Sequence, residues 1–387
     1  MSLLDRLTKN STVKLTATLS NSKVYGKKEM VPTQVPMVNV ALSGRVDGGL
    51  TPGLTVLAGP SKHFKTAFSL LMASAYLKKY DDAVVLFYDS EFGTPQNYFE
   101  SFDIDMNRVV HTPIMDVEQL KFDIMKQLDG IERGDRVCII IDSVGNLASK
   151  KEVEDAMNEK SVADMSRAKQ MKSLFRMVTP HLTLKDIPLI AVNHTYMEIG
   201  MFPKAVVSGG TGIYYSADNI WIIGRQQEKD GTDIAGYHFI INVEKSRYIK
   251  EKSKIPISVT WDGGINKWSG LMALALEANY LAKPSNGWYQ LVDRGGDFQV
   301  IYQFKASITE GALSTAATDA NNQDNPISSQ DLVINRRADQ ALIDNAYALS
   351  GPREVTSILL TFTDGSTQNP VWAAGMSKVV DHANFDA

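Results

Sequence analysis

The sequence predicts an α/β protein in which helices flank a mostly parallel sheet, with a short polar segment ahead of that core and a smaller α/β lobe behind it. Three observations lead there. Apolar runs recur at Leu54–Ala58, Ala83–Tyr88, Val137–Ile141, Leu189–Val192, Ile220–Ile223 and Phe239–Val243, and they are continuous rather than alternating, as in strands buried on both faces. Helical stretches separate them, which suits crossovers between parallel strands. Beyond Ala282 the apolar signal weakens and polar composition takes over.

Taken in order, residues 1–30 are polar, with Leu3, Leu4 and Leu7 covering only a narrow helical face, so this segment is expected to dock on something rather than fold alone. Residues 31–282 form the core. Residues 283–387 form the C-terminal lobe, in which Ala306–Gln330 is rich in Ser, Thr, Ala, Asn and Asp and reads as a flexible stretch. After it, a helix is expected over Asp331–Leu349, with Ser329 near its start, and a strand over Val355–Phe362. No internal repeat is visible.

At 387 residues, 44% hydrophobic and 22% charged, the chain is long enough to bury a substantial core. No window approaches the ~18 uncharged apolar residues of a membrane span. Scattered Lys and Asp in Met1–Met30 do not resemble a signal peptide, so a cytoplasmic protein is expected. The single cysteine, Cys138, lies in the run Val137–Ile141 and reads as core filling; no internal disulfide or cysteine metal site follows from it. The net charge of −4 is uneven: residues 276–387 hold 13 acidic and 7 basic residues (−6), leaving +2 for residues 1–275. Basic residues cluster at Lys23, Lys27 and Lys28 and from Lys245 to Lys254, and local patches rather than net charge decide phosphate binding.

Gly59, Pro60, Ser61, Lys62, His63, Phe64, Lys65 and Thr66 follow the first core strand and open a helical segment, Thr66–Leu77. That is the context of a phosphate-binding loop: backbone N–H groups face the phosphates, Lys65 neutralises the β and γ charges, and the Thr66 hydroxyl ligates Mg²⁺. Phe64 stands where the usual pattern has its second glycine. Two more buried strands deliver carboxylates at their C-terminal ends, the sheet edge where ligands sit in open parallel sheets. One runs into Asp89-Ser90-Glu91 and the other into Asp142-Ser143, which makes Asp142 the candidate for ordering Mg²⁺ through water and Glu91 the candidate for polarising the attacking water. A fourth strand ends in Asn193-His194-Thr195, so His194 can bond the γ-phosphate and report its loss.

At these residues the chain resembles the RecA-type recombinases, most closely their phage UvsX branch. The match is carried by Gly59–Thr66 with its Phe64, Tyr88–Gly93, Ile141–Lys150, Asn193–Tyr196 and Val243–Arg247, strings that together span most of residues 31–276. The resemblance implies a RecA-like P-loop NTPase core and an ATP- and Mg²⁺-dependent recombinase that forms filaments on single-stranded DNA and exchanges strands with homologous duplex. It gives Glu91 the part of the catalytic glutamate, Lys65 and Thr66 the phosphate and metal contacts, Asp142 the Walker B carboxylate, and His194 the γ-phosphate sensor. Tyr98 would stack on adenine. Lys245 and Arg247 would reach the ATP of the neighbouring subunit, making hydrolysis conditional on assembly. Residues 1–30 would propagate the filament by packing on the next core, and a mediator and a single-strand-binding protein are implied as partners.

Two stretches of loop composition lie between nucleotide elements, Glu152–Val162 and Tyr196–Gly212, and in the family the corresponding loops hold DNA. The second contains the apolar Met201 and Phe202, which could wedge between stretched bases, and Lys204, Gly209 and Gly210, which offer a cation and backbone donors to phosphate. A RecA-fold helicase shares the loop, the carboxylates and the trans-acting cations; a nucleotide-gated scaffold without useful turnover would not need Glu91.

Overall fold

The continuous apolar runs become strands because β-branched and aliphatic side chains fill both faces of a pleated layer. In a computed structural model of the chain, residues 2–22, 24–26, 28–158, 166–198, 204–230, 233–261, 264–285, 288–292, 303–305, 332–335, 359–361 and 367–368 are described. They fall into two units, Met1–Lys267 and Trp268–Ala387.

The first unit is a nine-stranded sheet with a small hairpin. Its strands are β1 (Gly53–Ala58), β2 (Val84–Asp89), β3 (Val109–Pro113), β4 (Val137–Asp142), β5 (Pro188–Asn193), β6 (Thr195–Met197), β7 (Ala205–Val207), β8 (Asn219–Asp230), β9 (Asp233–Ser246), β10 (Lys254–Thr260) and β11 (Gly264–Ile265). The large sheet runs β11-β10-β9-β8-β1-β5-β4-β2-β3. From β8 to β3 all neighbours are parallel, whereas β8 to β11 are joined antiparallel. The six expected runs are all strands; β8 and β9 extend well beyond their apolar centres, and the partly exposed β3 carried no continuous apolar run to betray it.

The helices are α1 (Leu3–Asn10), α2 (Pro36–Ser43), α3 (Lys65–Lys79), α4 (Gln96–Glu100), α5 (Val117–Gly130), α6 (Lys150–Met157), α7 (Ser166–Lys185) and α8 (Thr211–Ser216). One core layer joins Leu54, Val56, Ile139, Ile141, Leu189 and Ala191 of the sheet to Leu120, Ile124 and Leu128 of α5, Leu174, Phe175 and Val178 of α7 and Ile213 of α8. On the opposite face α3 packs Phe68 edge-on to Trp221, ring centroids 6.3 Å apart. Cys138 is fully buried, as a core filler should be.

Two expectations need correction. The stretch Glu152–Val162 is helical through Met157, because Ser149 and Glu152 form a reciprocal capping box that starts α6; residues 159–165 lie outside the described residues. The helix expected over Asp331–Leu349 is a strand over its described part, Leu332–Asn335, where the pair Val333-Ile334 favours extended backbone. That strand belongs to the second unit, whose helix α9 (Leu271–Glu277) precedes a six-stranded sheet of β12 (Leu281–Ser285), β13 (Trp288–Leu291), β14 (Gln303–Lys305), β15 (Leu332–Asn335), β16 (Leu359–Thr361) and β17 (Thr367–Gln368). The strand expected over Val355–Phe362 contains β16; Ala306–Gln330, Lys23 and Lys27 lie outside the described residues. Among the described residues no helix is long and apolar enough to cross a membrane.

Candidate active site

The parallel order brings the C-terminal ends of β1, β2, β4 and β5 to one edge, and with them the phosphate loop, Glu91, Asp142 and His194. Phe64 caps α3 in the left-handed conformation, φ 62° and ψ 18°, the backbone the missing glycine would supply freely. For a residue with a β-carbon this costs roughly 1–2 kcal/mol. The ring offsets it by stacking on Phe239 at 4.7 Å and meeting Phe68 edge-on at 5.6 Å, contacts worth about 0.5–1.5 kcal/mol each. Gly59 to His63 complete the turn between β1 and α3, with His63 Nδ1 2.9 Å from the Ser61 carbonyl.

Lys65 is buried and its ammonium donates to the Pro60 carbonyl at 2.7 Å. Burial lowers its pKa, opposed by the charges of Glu91 and Asp142. The Thr66 hydroxyl donates to Asp142 Oδ2 at 2.6 Å, while Asp142 Oδ1 is buried with no hydrogen-bond partner. Burial, then the nearby Glu91 and Asp89 carboxylates, push Asp142 up to about 6 against the pull of Thr66 and Lys65. A buried, partnerless carboxylate oxygen beside a threonine hydroxyl is a hard-oxygen donor set suited to Mg²⁺. Among the described residues no group of three His, Cys, Asp or Glu side chains is placed to hold a metal, so phosphate and water would complete the coordination.

The sign of the Asp142 shift gives a stability prediction. A carboxyl whose folded pKa lies above its unfolded one loses stability as pH rises between the two, here from about 4 to about 6, and above that window the buried charge costs roughly 3 kcal/mol. Asp142→Asn should therefore raise the melting temperature of the nucleotide-free protein by a margin that grows across that window and levels off above it, while weakening Mg²⁺-dependent nucleotide binding. Melting curves between pH 4 and 8 with a pH-independent margin would contradict it.

Glu91 Oε1 accepts from the Ser143 hydroxyl at 2.6 Å and lies 3.0 Å from His194 Nε2. The His194 and Ser143 contacts hold its pKa below the usual carboxylate range, against burial, with help from the Lys65 charge. His194 can lie there because residue 145 is glycine: a β-carbon on Gly145 would stand 2.4 Å from His194 Cδ2. Tyr98, on α4, is half-buried and edge-on to Phe102 at 5.6 Å; burial and the nearby Asp142 charge raise its pKa. Lys65, Thr66, Asp142, Glu91 and His194 are thus one cluster.

Lys245 and Arg247 are not part of it. Lys245 pairs in register with Ile220, beside Val56, and Arg247 forms an ion pair with Asp218, whose Oδ2 accepts from Leu54 N at the start of β1. The phosphate loop follows the other end of that strand, five residues or about 16 Å away. Of the second-loop residues, Met201 and Phe202 lie outside the described residues. Lys204 is ion-paired with Glu244 at 2.9 Å, and Gly209 and Gly210 both have positive φ, at 96° and 75°, where the chain turns into α8.

Three features escaped the reading of the sequence. Ser143, which carried no expected role after Asp142, donates to the candidate base. Asp89, itself buried, accepts from the backbone N–H groups of Glu91 and Phe92 at 3.0 and 2.8 Å and fixes the turn that presents Glu91. Finally, α7 contains Arg167, Lys169, Lys172, Arg176 and Lys185 but no acidic residue, a signal readable in the sequence. Arg167 and Lys185 bond carbonyls of the core, leaving Lys169, Lys172 and Arg176 exposed and without an ion-pair partner among the described residues. Gly212 packs against this stretch so closely that a β-carbon would meet Lys172 Cα at 2.6 Å, so the cations adjoin the end of the second loop.

Comparison with known proteins agrees with this geometry. The family model for the RecA N-terminal domain matches residues 4–266. The chain is 58% identical over 287 residues, covering 74% of it and 73% of the relative, to the recombination and repair protein of Enterobacteria phage T4. It is 26% identical over 265 residues to protein RecA of Streptomyces ambofaciens, covering 67% and 68% of the two chains, and 24% identical over 277 residues to protein RecA of Bdellovibrio bacteriovorus, covering 70% of each. A phosphate loop, two strand-end carboxylates and a histidine beside one of them on this sheet order, matched by that family model over most of the chain, show that it belongs to the RecA family of recombination and repair proteins, which are DNA-dependent ATPases, together with the phage recombinases of the UvsX type.

Proposed function

We propose that the protein assembles head to tail as a helical filament on single-stranded DNA, binds ATP with Mg²⁺, and drives homologous pairing and strand exchange with duplex DNA in recombination, repair and recombination-dependent replication. The observation that carries this is the division of the charged groups between two edges of one sheet. Lys65, Thr66, Asp142, Glu91 and His194 converge at one edge, and Lys245 and Arg247 lie at the other, out of reach of their own phosphate loop. A second copy stacked on that loop edge can bring its cations to the triphosphate, a heterologous contact that propagates.

In this reading Thr66 and, through water, Asp142 would hold Mg²⁺, which would neutralise phosphate charge. Lys65 exchanges the Pro60 carbonyl for phosphate oxygens, Tyr98 packs on the adenine, and the loop from Gly59 to Phe64 wraps the phosphates. Glu91, kept ionised by its neighbours, accepts a proton from the water that attacks the γ-phosphorus, giving ADP and phosphate. His194 turns from Glu91 to the γ-phosphate and orders the second loop, which begins immediately after it. DNA phosphates meet Lys204, the backbone at Gly209 and Gly210, and the exposed Lys169, Lys172 and Arg176 of α7, while Met201 and Phe202 wedge between bases. Such contacts read no sequence. Residues 1–30 link subunits, residues 31–282 form the ATPase and DNA-binding core, and residues 283–387 form the C-terminal lobe. A cytoplasmic setting with a mediator and a single-strand-binding protein as partners completes the reading.

The test mixes two inactive variants. Glu91→Gln lacks the base but keeps its cations; Lys245→Ala with Arg247→Ala lacks the cations but keeps the base. If neighbours complete each site, equal mixing on single-stranded DNA should restore about a quarter of wild-type hydrolysis, the fraction of head-to-tail junctions with both halves intact. No recovery from filaments seen to contain both variants would refute shared sites.

A further inference from the structure

The end of β9 is tied to the second loop by two contacts that neither the core packing nor the hydrolytic cluster explains. The pairing of β8 with β9 slips here: Lys245 stands opposite Ile220 and Val243 opposite Trp221, so Glu244 is the extra residue of a bulge. Bulges re-aim side chains that a regular strand would send to opposite faces. Glu244 Oε1 takes Lys204 Nζ at 2.9 Å, just ahead of β7. Lys245 Nζ donates to the carbonyls of Tyr214 at 2.8 Å and Tyr215 at 3.4 Å, in the last turn of α8, and lies 5.4 Å from the centre of the Tyr214 ring. The helix whose end holds Lys245 is capped at its start by Gly210, so Lys204, the two glycines and the carbonyls that bind Lys245 belong to one short run of chain.

Resting on the DNA and neighbour roles proposed above, we infer that Glu244 is a positioning residue for hydrolysis: while Glu244 holds Lys204 and α8 holds Lys245, the cation is kept from the next subunit's nucleotide, and a DNA phosphate that takes Lys204 releases it. The exchange is physically easy. The Lys204 side chain is 63% exposed, so phosphate reaches it with little desolvation, and an ion pair this open contributes little that a polyanion cannot replace. With Lys204 taken by phosphate, Glu244 no longer holds the bulge in place, the bulge relaxes, and Lys245 exchanges two carbonyl dipoles for a fully charged triphosphate. DNA binding is thereby converted into a cation delivered in trans, which is what DNA-dependent hydrolysis requires.

The experiment measures ATP hydrolysis by the full-length protein with and without saturating single-stranded DNA, together with DNA affinity. Glu244→Gln should raise DNA-free hydrolysis by roughly two- to fivefold, the scale of a partly exposed pair, and lower the stimulation ratio by the same factor. The exchange Lys204→Glu with Glu244→Lys rebuilds the pair with its charges reversed, so its DNA-free rate should fall below that of Glu244→Gln; a merely structural role for Glu244 predicts no such fall. An unchanged stimulation ratio in Glu244→Gln, or an exchanged variant whose DNA-free rate stays as high as that of Glu244→Gln, overturns the inference. Lys204→Gln separates the two levels. If it weakens DNA binding while the Glu244→Gln ratio is unchanged, the DNA reading stands and the coupling falls. If it leaves DNA affinity untouched, the phosphate role of Lys204 falls and takes the coupling with it.

Discussion

Glu91→Gln is expected to lower ATP hydrolysis by about 10²–10⁴-fold, the usual contribution of a positioned general base, while nucleotide binding and filament formation on DNA persist. The amide keeps the shape of the carboxylate and can still accept from Ser143, so the edge of the sheet should hold together. What it cannot do is take a proton from water. Glu91 suits that task because it is ionised and half-exposed at the mouth of the cluster, and because Asp89 pins the backbone that presents it. His194→Ala removes the other side of the same contact and separates catalysis from signalling. If His194 reports the γ-phosphate to the second loop, the ratio of DNA affinities with a non-hydrolysable ATP analogue and with ADP should collapse toward one. Filaments of Glu91→Gln that hydrolyse ATP within tenfold of wild type, or a His194→Ala protein with a normal affinity ratio, would remove the assigned roles.

Deleting residues 1–30 should leave a folded protein that binds nucleotide yet neither polymerises nor shows DNA-stimulated hydrolysis, a fall of at least about 10²-fold in the stimulated rate if the neighbour's cations act as trans-acting arginines do elsewhere. The physical case lies in α1. Ser2 and Asp5 build a reciprocal capping box, so the helix is well started, but no residue of it is buried and Leu3, Leu4 and Leu7 are 64%, 58% and 63% exposed. An eight-residue helix is marginal alone, and three uncovered leucines represent several kcal/mol of burial, about 1.5–3 kcal/mol each, waiting for a surface. The deletion also removes Glu29, which bridges Lys79 at 2.9 Å and Arg136 at 3.5 Å, but partly exposed pairs of this kind contribute about 1 kcal/mol or less. Thermal melting should therefore shift little while sedimentation and electron microscopy show monomers. Long filaments from the truncated protein would contradict the role of α1.

The sequence by itself determined where the sheet and its hydrolytic edge would be. Buried parallel strands need apolar residues on both faces, so Leu54–Ala58, Val137–Ile141 and their fellows announce themselves, and the residues that end the runs Leu54–Ala58, Ala83–Tyr88, Val137–Ile141 and Leu189–Val192 fall at the ligand edge by topology alone. Local chemistry of that sort survives in one dimension. Tertiary structure decided what depends on neighbours distant along the chain. Phe64 is tolerated in a left-handed backbone because Phe239, 175 positions later, stacks on it. Ser143 became a partner of Glu91 only when β2 and β4 were laid side by side. Lys245 and Arg247 moved to the far edge because β9 runs antiparallel to β8, a direction that periodicity does not encode. Spacing fixes which face a side chain takes, whereas the order and sense of the strands fix which other side chains it will meet.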